Sequence, residues 1–210
     1  MRTPVNTRPL IHIVDDDDSM RTALIELLKH TGFDALGYAS TGEFLLKTIP
    51  DQHGCILLDI RLPGPSGLDL QAALLRKGIA LPVIFLTGHA DVSSSVRAMK
   101  AGAIDFLEKP VVRETLLEAL RRALEADIVR RNTVDAARRH RARLDLLSPR
   151  EQAVFDRVVA GMLNKQIADD LGISLRTVKA HRAQMMQKLG VSTPAELGRL
   201  AGESAESGEN

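Results

Sequence analysis

The sequence predicts two domains of different class: an α/β domain on a five-stranded parallel sheet, then an all-α domain of four short helices. Three observations carry this. Short apolar runs alternate with helical patterns over the first half. Helix caps and a tight glycine turn recur over the second. Charge also changes sign between them: residues 1–125 hold 14 basic and 16 acidic side chains, residues 126–201 hold 14 and 8. A length of 210 residues suits two modest domains.

Leu10-Ile-His-Ile-Val14 reads as a strand. Ser19 to His30 follows with Met20, Ala23, Leu24, Leu27 and Leu28 at helical spacing, stopped by Gly32. Phe33 to Tyr38 reads as an edge strand. Cys55-Ile-Leu-Leu58, Val83-Ile-Phe-Leu86 and Ile104-Asp-Phe-Leu107 are continuous apolar runs, as strands buried on both faces require. Strands alternating with helices imply right-handed crossovers and helices on both faces of a parallel sheet.

From Val112 to about Leu144 the pattern is one long helix. Leu117, Leu120 and Leu124 begin a heptad seam, but Asp127 and Arg131 occupy its next positions, which argues against a coiled coil. Residues 126–146 read as a charged, mostly helical linker, with a disordered hinge as the alternative. Domains are thus expected at 9–125 and 147–202, with tails at 1–8 and 203–210.

The remaining composition excludes several classes. Cys55 is the one cysteine, so neither a disulfide framework nor a zinc site is available. Aromatic content of 3%, with no Trp, leaves little for base-stacking platforms. No apolar run approaches the ~18 residues of a membrane span, and Met1 to Arg8 has no leader core. The cytoplasm is the expected compartment, with no membrane partner. A basic second half suggests nucleic acid, though a solvated charged helix would read the same on charge alone.

In an open parallel sheet, function collects where strands end at the carboxyl edge. Asp15 and Asp16 follow the first strand there, Asp59 the third, Thr87 the fourth and Lys109-Pro110 the fifth. Clustered carboxylates repel and need a cation, and Mg²⁺ suits a few carboxylates plus water and substrate phosphate. A carboxylate beside it can attack a phosphoryl group. A hydroxyl and an ammonium would then hold the phosphoryl oxygens. Taken singly, Asp15 to Asp18 could be a solvated capping turn, Thr87 a strand-end hydroxyl and Lys109 a surface lysine. Their joint placement is what points to a site.

Val14-Asp15-Asp16, Leu58-Asp59, Thr87-Gly88 and Lys109-Pro110 resemble the receiver domains of two-component response regulators. Thr87-Gly-His-Ala-Asp91 with Val96-Arg-Ala-Met-Lys-Ala-Gly102 is most similar to the FixJ-like branch of the FixJ/NarL group. The resemblance implies a flavodoxin-like strand order 2-1-3-4-5 and phosphoryl acceptance by Asp59 from a sensor histidine kinase. It implies Mg²⁺ ligation by Asp16, Asp59 and the Arg61 carbonyl, with Asp15 acting partly through water. Thr87 and Lys109 would contact the phosphoryl, Phe106 would turn inward on activation, and the Lys109-Pro110 bond would be cis.

In the second half, Ser148-Pro-Arg-Glu151 and Thr193-Pro-Ala-Glu196 each place a hydroxyl N-cap, an early Pro and a Glu three residues on. Asn164 is placed to cap a helix carrying Ile167, Ala168 and Leu171. Gly172-Ile-Ser174 then turns into a helix from Leu175 to Leu189, closed by Gly190, which is the helix-turn-helix pattern. At ~100° per residue, Met185 and Leu189 lie within about 20° of Val178 and face the core. Arg176, Lys179, Ala180 and Ala183 fall on the opposite face, where a cation can reach guanine and alanine methyls can meet thymine. Arg182 and His181 flank the core face. Asn164, Lys165 and Thr177 lie near helix starts, suited to phosphates.

Residues 147–201 resemble the LuxR-type helix-turn-helix of the same group. The match rests on Leu147-Ser-Pro-Arg-Glu151, Gly161, Asn164-Lys165, Leu171-Gly172-Ile173, Thr177-Val178-Lys179-Ala180-His181-Arg182 and Leu189-Gly190. It implies double-stranded DNA as partner, a homodimer formed on phosphorylation with contacts from Pro194 to Leu200, RNA polymerase as a further partner, and transcription activation. A Mg²⁺-dependent phosphatase is the competing enzyme reading; it needs a separate general acid and a substrate cap, and neither is found. The chain is therefore read as no enzyme.

Overall fold

The structure, a computed structural model, describes residues 8–47, 52–88, 92–193 and 195–200. Outside them lie the expected tails apart from Arg8, the His89-Ala-Asp91 part of the Thr87 motif, and Pro194. Two compact units divide between Arg130 and Arg131.

The first unit alternates strand and helix: β1 (Leu10–Val14), α1 (Asp18–His30), β2 (Asp34–Tyr38), α2 (Thr41–Leu46) and β3 (Gly54–Asp59). α3 (Gly67–Arg76), β4 (Val83–Thr87), α4 (Val92–Lys100), β5 (Asp105–Glu108) and α5 (Arg113–Leu144) follow. The five strands are parallel in the order β2-β1-β3-β4-β5, as expected, with β2 at an edge. Every residue of β1, β3 and β4 is buried, because helices cover both faces. Period-two alternation sorts these side chains. Ile11, Ile13, Cys55, Leu57, Ile84 and Leu86 meet Leu24 and Leu28 of α1 and Leu116, Ala119 and Leu120 of α5. Val14, Ile56, Leu58, Val83 and Phe85 meet Phe44 of α2, Leu70 and Leu74 of α3 and Ala98 of α4. Truncating a side chain as enclosed as Leu57 to alanine is worth roughly 2–5 kcal/mol.

α5 continues as helix through the linker segment to Leu144, so helix and not hinge is the linker's conformation here. In the second unit it is followed by α6 (Pro149–Val159), α7 (Asn164–Leu171) and α8 (Leu175–Leu189), and residues 195–200 are also helical. Phe155, Met185, Leu189, Leu197 and Leu200 form one core, with Leu144 and Leu147 packed on it. Val154, Ile167, Ala168 and Val178 form the other.

The expected caps at Ser148 and Thr193 are present. Ser148 Oγ accepts from Glu151 N at 3.3 Å while Glu151 Oε2 accepts from Ser148 N at 2.7 Å. Thr193 and Glu196 exchange the same pair of bonds. Asn164 does not cap α7. It is the first helical residue, Leu163 stands at the N-cap without a side-chain bond, and Gln166 Oε1 accepts from Leu163 N at 2.7 Å instead. The Asn164 carboxamide is engaged elsewhere, as described below.

Candidate functional site

The four consecutive aspartates after β1 divide into separate tasks. Asp15 is buried, and its Oδ1 accepts from Asp17 N at 3.0 Å. Asp16 is exposed. Asp17 caps α1, accepting from Ser19 N and Met20 N, and those bonds hold its pKa below the usual carboxylate value. Asp18 is exposed and paired with Arg21.

Asp59 closes β3 and is buried. Its Oδ1 accepts from Arg61 N at 3.0 Å. Lys109 Nζ lies 2.6 Å from Asp59 Oδ2 and 2.7 Å from Asp15 Oδ2. Burial alone would depress the Lys109 pKa, but the hydrogen bonds to Asp15 and Asp59 outweigh it, and the net direction is upward. Lys109 is a fixed cation between two carboxylates. Carboxylate oxygens of Asp15, Asp16 and Asp59 lie within 4.8 Å of one another. All-oxygen donors at that spacing, one of them open to solvent, fit a hard divalent cation that keeps water and takes up phosphate oxygens. Thr87 ends β4 fully buried, and its carbonyl accepts from Lys109 N at 2.7 Å. Phe106 on β5 is half-buried against the core, with its ring centroid 6.4 Å from that of Phe85. The Lys109-Pro110 bond is cis, as expected.

Two contributors were not singled out from the sequence. Arg21 Nη1 donates to the Asp15 carbonyl at 2.6 Å and fixes the turn that aims Asp15 inward. Gly67 opens α3 where a Cβ would fall on the Asp59 carbonyl oxygen, so only glycine lets α3 begin beside the end of β3. Neither is marked by local pattern, because each acts on a strand-end residue six or eight positions away, beyond its own turn.

In the second unit, Gly172 closes α7 in the left-handed region at φ +63°. Ser174 Oγ accepts from Thr177 N at 3.0 Å to open α8, and it also shares a 2.7 Å bond with the Thr177 hydroxyl. Val178, Met185 and Leu189 are buried. Arg176, Lys179, Ala180 and Ala183 are exposed on the other face, and Lys165 is exposed at the start of α7. Asn164 and Arg182 are half-buried, and Arg182 Nη1 donates to Asn164 Oδ1 at 2.7 Å, tying α8 to α7. Lys188 Nζ lies 2.6 Å from Glu151 Oε2; that bond, followed by the one from Ser148, brings the Glu151 pKa down to about 2.

An acidic pocket at the carboxyl edge of a parallel five-stranded sheet, with a helix-turn-helix unit after it, defines a DNA-binding response regulator as a class. Known proteins bear this out. The family described as response regulator receiver domain matches residues 11–121, and that of bacterial regulatory proteins of the luxR family matches residues 145–201. The chain belongs to the two-component response regulators, with a receiver domain and a LuxR-type DNA-binding domain; these are transcription regulators and not enzymes.

Among its relatives is Nodulation protein W of Bradyrhizobium diazoefficiens, 42% identical over 95% of this chain and 88% of that protein. The transcriptional regulatory protein FixJ of Rhizobium meliloti is 42% identical over 91% of this chain and 94% of its own length. Among solved structures, the response regulator StyR superposes with a TM-score of 0.84 at 41% identity, over 94% of this chain and all (100%) of that one. Full-length FixJ from B. japonicum gives 0.58 at 35% identity, over 96% and 99%. Among the described residues no helix is long and apolar enough to cross a membrane.

Proposed function

We propose that Asp59 accepts a phosphoryl group from a sensor histidine kinase and that the phosphorylated chain dimerises, binds operator DNA and, with RNA polymerase, activates transcription in the cytoplasm. Residues 9–125 act as the receiver, 126–146 as the linker and 147–202 as the DNA-binding domain. The observation that carries the reading is the Asp59 carboxylate, held 2.6 Å from the Lys109 ammonium and clustered with Asp15 and Asp16.

An Asp59 oxygen attacks the phosphorus of a phosphohistidine. The new P–O bond forms as the P–N bond breaks, and the imidazole leaves with a proton from solvent. Mg²⁺ held by Asp15, Asp16, Asp59 and the Arg61 carbonyl would neutralise charge on the transferring group. The Lys109 ammonium and the Thr87 hydroxyl, from residues at the ends of adjacent strands, would take two phosphoryl oxygens. Drawing Thr87 toward the phosphoryl frees space that the half-buried Phe106 ring can fill, which alters the surface of α4 and β5. On DNA, Arg176, Lys179, Ala180 and Ala183 would read bases, Asn164, Lys165 and Thr177 would stand nearer phosphates, and Arg182 would border the reading face.

Incubation with acetyl phosphate and Mg²⁺ tests the chemistry. One acyl phosphate is expected, at Asp59, and Asp59→Asn should take none, because an amide is no nucleophile here. Undiminished labelling of that variant would overturn the assignment.

A further inference from the structure

α5 outruns its own apolar packing. Leu116, Ala119, Leu120, Ala123 and Leu124 are its buried apolar residues, and beyond Leu124 its one buried side chain among the described residues is Asp127. Around it Ile128 and Val129 are 48% and 66% exposed. Ala126 and Arg130 line a cavity of about 240 Å³ shared with α3 and the loops before β4 and β5, so the helix is not closely packed there. A carboxylate with no exposed surface is costly unless it is bonded. Asp127 Oδ2 accepts from Gly54 N at 3.1 Å and lies 2.9 Å from His53 Nδ1, and Oδ1 accepts from Arg130 Nε at 3.1 Å. Gly54 is itself closely held by β1: Leu10 N bonds the adjoining His53 carbonyl at 2.9 Å, and a Cβ on Gly54 would fall on the Leu10 carbonyl oxygen.

We propose that Asp127 is the anchor that fastens the linker helix to the foot of β3, and that the linker relays the state of Asp59 only while fastened there. Gly54 and Asp59 are the two ends of one strand, ~17 Å apart at ~3.3 Å per residue. The anchor is therefore at the edge opposite the acidic pocket and can be removed without touching it. It also falls outside residues 11–121, the part matched as receiver, and just before the division of the two units at Arg130. Apolar packing would fix the helix only to Leu124; the buried carboxylate extends the fixed part by a little under one turn. The signalling half of this inference rests on the proposed function.

The full chain is tested as wild type, Asp127→Ala and the pair His53→Ala/Arg130→Ala, which strips two side-chain partners from Asp127 and leaves its carboxylate and its Gly54 bond in place. Amide hydrogen exchange over residues 125–132 should speed up at least tenfold in Asp127→Ala and by a smaller factor in the pair. Acetyl phosphate labelling of Asp59 should be unchanged, which also certifies the fold. The gain in operator affinity on adding beryllofluoride should fall at least fivefold while basal affinity holds. Unchanged exchange in both variants overturns the anchor. Faster exchange with a full beryllofluoride response overturns the relay. If the wild type shows no beryllofluoride response, the proposed function fails and takes the relay with it, and exchange alone decides the anchor.

Discussion

His12 illustrates how one buried side chain sets a pH limit on the receiver. It lies on β1, 2% exposed, with Nδ1 3.0 Å from the Tyr38 hydroxyl and Phe44 edge-on to its ring. Burial lowers its pKa from 6.5 to about 4. The folded chain keeps it neutral, whereas the unfolded chain takes up a proton as pH falls through 6.5. Stability from this residue is therefore present above 6.5 and is lost as pH falls toward about 4. The loss is about 2 kcal/mol between roughly pH 7 and 5. His12→Asn keeps an acceptor and cannot titrate, so urea unfolding of that variant should lose this part of the pH slope. An identical slope in variant and wild type would rule His12 out as its source.

At the scale of elements, the DNA-reading pair separates two kinds of contact. Lys179 is exposed on the outer face of α8, and Lys165 is exposed at the start of α7. Losing a base contact should cost about 1–3 kcal/mol and relax preference at one or two positions. Losing a phosphate contact should weaken all sequences alike and lower the salt slope by about one. Selection from a randomised operator library at two salt concentrations should thus flatten the profile for Lys179→Ala and leave its shape intact for Lys165→Ala. If Lys179→Ala keeps its full preference, Arg176 becomes the reader to test; Arg182 is a weaker alternative because it is bonded to Asn164. The elements themselves were legible where their signals are local. β1, β3 and β4 stood out because strands covered on both faces must be apolar throughout, and α8 stood out through the Gly172-Ile-Ser174 turn before it and its Gly190 stop. Asn164 was misread as a cap because Asn is a good one in isolation. The Arg182 side chain that claims it is eighteen residues away in sequence. Gly67, Arg21 and the Asp127 anchor escaped for the same reason: each depends on a partner that only the folded chain supplies.

For the whole molecule, the expected change is one of mass. Val96 and Met99 of α4 are 46% and 47% exposed, an apolar surface beside β5 that suits a second copy once Phe106 moves. Ser95 of the same helix is half-buried, and Ile104 packs against the core. Light scattering of the full chain should show the mass doubling when beryllofluoride and Mg²⁺ are added. An unchanged monomer at high concentration counts against phosphorylation-promoted pairing.

The hydrogen bond between His12 and Tyr38 has a practical optical consequence. The chain has no Trp and one Tyr, so Tyr38 is the dominant intrinsic ultraviolet fluorophore. Its carbonyl accepts from Asp15 N at 3.1 Å, one bond from the acidic pocket, and its ring stacks on His12 at 5.8 Å between centroids. Tyrosine emission therefore listens to the receiver and is nearly deaf to α6, α7 and α8, which contain no Tyr or Trp. An intrinsic-fluorescence titration with operator DNA would register no change from direct contact, and any signal it gave would have to travel back to the receiver first.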